Sequence, residues 1–95
     1  ELRMISRFTV SRVAGVANVD QWTKAGIMVR TSLDPGAAHA SLFVTPTTVK
    51  GIAFQRRRTA GAQSVHTSGP RLTAPVWLKM TVRDGHVRAT PGQDP

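Results

Sequence analysis

Apolar and polar residues alternate with a period of two along much of this chain, in short runs separated by Gly, Pro and Asp. Alternation of that kind predicts half-buried β-strands, whose successive side chains point to opposite faces. Around Phe8-Thr9-Val10-Ser11 it predicts a first strand over 4–13, dense in β-branched residues. Val13 falls out of phase with Phe8 and Val10, and Val16 returns to it, so a bulge or strand end is expected near Gly15. Trp22 leads into a second strand that ends at Arg30, with Ala25, Ile27 and Val29 on one side and Gly26, Met28 and Arg30 on the other.

A third strand over 39–45 sets Ala40, Leu42 and Val44 against His39, Ser41, Phe43 and Thr45, and Pro46 stops it. A fourth over 51–57 carries Ile52 and Phe54 on one face and Ala53, Gln55 and Arg57 on the other. A weak, polar fifth strand lies near 64–67, between Gly61 and Gly69-Pro70. A sixth over 76–82 and a seventh over 87–90 flank Asp84-Gly85, the dipeptide of a type I′ hairpin turn with positive φ at both positions. Asp34-Pro35-Gly36 predicts another turn, Pro presetting φ and Gly accepting φ > 0 after it. A single helical turn is the most that Asp34-Pro35 allows. Short strands at regular spacing with Gly- and Pro-rich turns indicate an all-β sandwich or barrel.

The order of motifs narrows the expectation. Trp22-x-Lys24-Ala25-Gly26-Ile27-Met28-Val29-Arg30 is followed by His39-Ala40, Val44-Thr45-Pro46, Gly51-Ile52-Ala53-Phe54-Gln55-x-Arg57 and Ala74-Pro75-Val76-Trp77-Leu78-Lys79. Over about residues 8–89 this resembles the concanavalin A-like (laminin G-like) jelly-roll modules of large secreted bacterial proteins, often appended to glycoside hydrolases. The resemblance implies an antiparallel jelly-roll β-sandwich with a curved face and an accessory, sugar-related role. Such modules usually continue past the Asp84-Gly85 hairpin and end in Tyr-rich strands. Here the last strand reads Val87-Arg88-Ala89-Thr90, so the expectation is a single partial module over 1–95, truncated at its C-terminal side. A chain starting at Glu1 and ending Pro91-Gly92-Gln93-Asp94-Pro95 reads as a segment of a longer, extracellular protein whose signal peptide is not in this segment.

Composition adds a direction to the partner. Thirteen Lys and Arg, ten of them Arg, stand against five Asp and Glu, a formal charge of +8. That surplus favours anionic partners, although Arg-rich strands also simply solvate their faces. Of 95 residues none is Cys, which removes disulfides and thiolate chemistry together. No apolar run approaches the roughly 20 residues of a membrane helix, so no membrane span is expected.

Catalysis finds no support. A glycosidase holds two carboxylates about 5 to 10 Å apart, whereas Glu1 is the one Glu and Asp20, Asp34, Asp84 and Asp94 fall in turns, loops or the terminus. His39, His66 and His86 lack metal-ligand spacing, so no metal, cofactor or catalytic residue is assigned. The expected function is a non-catalytic accessory module binding glycan weakly on the curved sheet face. Arg30, Gln55 and Arg57 would donate hydrogen bonds there and Met28 would form an apolar floor, with anionic polysaccharide favoured. The plainer role for Arg30 and Arg57 is pairing with Asp20 or Asp34, or covering apolar surface with their stems. Trp22 and Trp77 read as core or edge packing rather than sugar platforms. The alternative is a structural or interaction domain, with no ligand of its own, that docks neighbouring domains of a longer chain. Nucleic-acid binding ranks below both, since alternation splits Arg56-Arg57-Arg58 between faces and supplies no aromatic array for bases.

Overall fold

The computed structural model describes residues 2–9 and 22–94. Its strands are β1 (Leu2–Phe8), β2 (Ala25–Arg30), β3 (His39–Val44), β4 (Ile52–Arg57), β5 (Val65–Ser68), β6 (Val76–Arg83) and β7 (His86–Gly92). They form two antiparallel sheets, β1-β6-β7 and β2-β3-β4-β5, and no helix occurs among the described residues. The all-β expectation holds, strand for strand.

The apolar phase of each strand explains how the sheets meet. Ala40, Leu42 and Val44 of β3, Ile52 of β4, and Val76, Leu78 and Met80 of β6 form one buried cluster. Ile27 and Val29 of β2, Phe54 of β4, Met4 and Phe8 of β1, Ala89 of β7 and Leu72 pack around it. Both sheets therefore turn their apolar faces to a shared core, the arrangement of a β-sandwich. Each large side chain fully removed from water there contributes about 1.5–3 kcal/mol. Leu78 and Met80 are wholly inaccessible.

Polar groups close the ends of this core. Thr45 is buried, and its hydroxyl donates to the Gly51 carbonyl at 2.8 Å, while Thr45 N also donates to that carbonyl at 3.0 Å. Gly51 has φ +63°, and a Cβ there would meet Arg71 Cα and Pro70 O at 2.7 Å, so this crossing of chains requires glycine. Among the described residues no buried side-chain polar atom lacks a hydrogen-bond partner.

The turns divide. Asp84 and Gly85 have φ of 50° and 75°, the type I′ hairpin that Asp-Gly predicts. At Asp34-Pro35-Gly36 the turn forms, with Ala37 N donating to Asp34 O at 3.0 Å, but Gly36 is not left-handed. That corrects the expectation of φ > 0. A turn of the type I kind, with Pro at its first central position, needs no glycine conformation at the second. The first strand is shorter than expected, ending at Phe8, and the predicted bulge near Gly15 with Val13 and Val16 lies outside the described residues. Pro91 sits inside β7, which is tolerated because β7 is an edge strand.

Candidate functional site

The face of β2-β3-β4-β5 turned away from the core gathers the polar side chains singled out in the sequence. Strand register fixes the arrangement. Gly26, Phe43, Ala53 and Ser68 lie across from one another in one row. Met28, Ser41, Gln55 and His66 form the next, and Arg30, His39 and Arg57 the third. Met28, Arg30, Gln55 and Arg57 thus occupy neighbouring positions on one surface.

The middle row is accessible and can donate hydrogen bonds. Met28 is 46% exposed, and the Gln55 side-chain amide donates to His66 Nδ1 at 3.1 Å. Ser41 Oγ lies 3.4 Å from His39 Nδ1, and Ser64 Oγ lies 3.4 Å from His39 Nε2. His66 was not among the residues expected at the site, because the fifth strand has no buried face and its register cannot be read from periodicity.

The arginine row does something else. Arg57 Nε donates to Ala62 O at 2.8 Å, and its Nη1 donates to Pro35 O at 2.9 Å and Ala37 O at 3.2 Å. Arg30 Nε donates to Ser32 O at 3.1 Å, and Arg30 Nη2 donates to Asp34 O. Both guanidinium groups hold the loops beyond the strand ends by their backbone carbonyls. Arg30 meets the main chain of Asp34 and not its carboxylate, so the pairing offered with Asp34 is not an ion pair, while Asp20 lies outside the described residues. Burial first, and then the positive charges of Arg57 and Arg30, hold His39 below its ordinary value of 6.5.

At the other end of the face, aromatic residues and cations come together. Trp22 is 43% exposed, with the Lys50 ammonium 4.5 Å and the Lys24 ammonium 5.7 Å from its ring centroid. The His66 ring meets it edge-on, with centroids 6.1 Å apart. Neither Trp22 nor Trp77 joins the core cluster. Phe43, by contrast, faces outward yet is only 5% exposed. The missing side chain of Gly26 lets Phe43 lie close over the neighbouring strand, and Lys24 covers the ring at 5.3 Å.

Chemically, the face presents donors and cations. Strands β2 to β5 contain no Asp or Glu. Among the described residues no three His, Asp or Glu side chains gather as a metal set, and no helix is long and apolar enough to cross a membrane. No protein-family model matches this chain, and the searches of curated proteins and of solved structures returned no match either.

Proposed function

We propose that this chain is a non-catalytic accessory module of an exported protein, a jelly-roll sandwich of the concanavalin A-like kind that binds anionic glycan weakly on the outer face of β2-β5. The observation that carries the reading is the acid-free row Met28, Ser41, Gln55 and His66 between Trp22 and the arginine row, with Met28 and His66 exposed, Gln55 half-buried and Ser41 buried beneath them. Gln55 and His66 supply hydrogen bonds to sugar hydroxyls, and Met28 provides an apolar floor. Trp22 offers a partly open ring for a pyranose, with Lys24 and Lys50 beside it for a carboxylate or sulfate. Arg30 and Arg57 contribute charge to this surface while their donors brace the loops.

Affinity electrophoresis through acidic and neutral polysaccharides tests this. Retardation by acidic glycan is expected, with Gln55→Ala combined with His66→Ala weakening it about tenfold, as for the loss of one or two hydrogen bonds. Unaltered retardation in that variant, or none with any glycan, would sink the reading. The loop bracing by Arg57 favours a second reading, a structural domain that docks its neighbours and has no ligand of its own. Silence on a glycan array is its expected result.

A further inference from the structure

A second site opens at the end of β4 from its core-facing side, with Arg30, His39 and Arg57 of the outer row at its rim. Along its core-facing side the residues run Ile52, Phe54 and Arg56, passing from full burial to a half-buried cation within one strand. Inner faces of sandwiches carry apolar residues, because an unpaired charge there loses its hydration. The change of character coincides with a cleft of about 640 Å³ where the ends of β2, β3 and β4 face the β6–β7 hairpin. Phe54, Val82 and Val87 form part of its apolar lining, and Arg56, Arg58 and His39 lie on its walls. No Asp or Glu lines it.

The two arginines differ in what they already hold. Arg56 sits 5.4 Å over the Phe54 ring and donates from Nη1 to the Thr67 hydroxyl at 2.8 Å. That bond uses one of its five N–H donors and fixes the guanidinium above the apolar wall. Arg58 is exposed and makes no hydrogen bond or ion pair with another described residue. A cleft of this size falls within the roughly 300–1,000 Å³ range of small-molecule sites, which are mostly apolar with a few oriented polar groups. Its fixed charges are all of one sign, so its occupant carries the other.

We infer that the cleft between the two sheets binds a small amphipathic anion, a carboxylate on a short aliphatic body. The tail lies against Phe54, Val82 and Val87, and the carboxylate meets Arg56 and Arg58. Burial first, and then the charges of Arg57 and Arg30, which also line this cleft, hold His39 below its ordinary value.

Octanoate, octanol and acetate, each titrated into the whole chain, separate the requirements. Octanoate is expected to raise the melting temperature, since it binds the folded state alone, and to shift the backbone amide resonances of Phe54, Val82 and Val87. Arg58→Gln, an exposed change that leaves the core intact, is expected to weaken octanoate by about tenfold, in line with the loss of one charge-assisted hydrogen bond. Arg88→Gln, away from the cleft, is expected to leave it unchanged. An equal response to octanol means an apolar void only, and an equal response to acetate means an unspecific anion effect; either overturns the proposal. So does an absence of shifts at Val82 and Val87. Gln55 and His66 act from the opposite face of the same sheet, so failure of the glycan reading leaves this test standing.

Discussion

At the scale of single residues, the described glycine with least room for a side chain is Gly26. A Cβ there would stand 2.1 Å from the Leu42 carbonyl oxygen and 2.6 Å from Phe43 Cα, both main-chain atoms that cannot rotate away. Gly26→Ala is expected to destabilise by at least the 1–3 kcal/mol typical of overpacking, or about 4–8 °C of melting temperature per kcal/mol. Gly36→Ala, where the nearest atom is 3.7 Å away and φ is not left-handed, is expected to shift the melt hardly at all. Comparing the two melts checks both. His39 gives a pH dependence. Its folded value lies below that of the unfolded chain, so on acidification the unfolded state takes up the proton first. Nothing is lost above about pH 6.5 on this account; stability falls as the pH drops below it and levels off once folded His39 is protonated as well. Melts between pH 7.5 and 5 are expected to be flatter in His39→Gln than in the parent chain.

At the scale of elements, β2, β3 and β4 were legible because each turns alternating apolar residues to the core; Ile27 and Val29, Ala40, Leu42 and Val44, and Ile52 and Phe54 pack as their phase requires, although Ala25 stays exposed. β5 was legible only as a weak polar run, because all four of its residues are exposed and nothing apolar marks its register. The alternation placed Phe43 outward correctly but could not show its burial, which depends on Gly26 across the strand. Periodicity also assigned Met28, Arg30, Gln55 and Arg57 to one face, and the register places them in two rows of that face with Ser41 and His39 of β3 between the pairs. What it could not reveal is where a guanidinium goes, since the partners of Arg57 lie 5, 20 and 22 residues away in loops. Those bonds make Arg57 a brace between two connections. Arg57→Met keeps the aliphatic stem and removes the donors, so hydrogen exchange at Ala37 and Gly61 is expected to speed up while Leu78 and Met80 stay protected. Uniform loss of protection would show instead that Arg57 supports the whole fold.

At the scale of the molecule, charge is partitioned by secondary structure. Among the described residues eight Lys and Arg lie in strands, namely Arg3, Arg7, Arg30, Arg56, Arg57, Lys79, Arg83 and Arg88, and not one Asp or Glu does. The three described acids, Asp34, Asp84 and Asp94, sit in turns or beyond the last strand. Of the four edge strands among the described residues, β1, β2 and β7 carry arginine, and β5 is only four residues long. An unpaired edge invites a second chain to add its own strand, and charge is one of the ways proteins prevent it. Here the protection resides in mutual repulsion, whose reach shrinks from about 10 Å at 0.1 M salt to about 3 Å at 1 M. Sedimentation velocity is therefore expected to report single chains in dilute buffer and growing oligomers as salt is added, and an unchanged boundary at 1 M would contradict this. Concentrated salt loosens any grip on a polyanion and at the same moment lifts the barrier between copies, so solubility and ligand retention both favour the same dilute conditions.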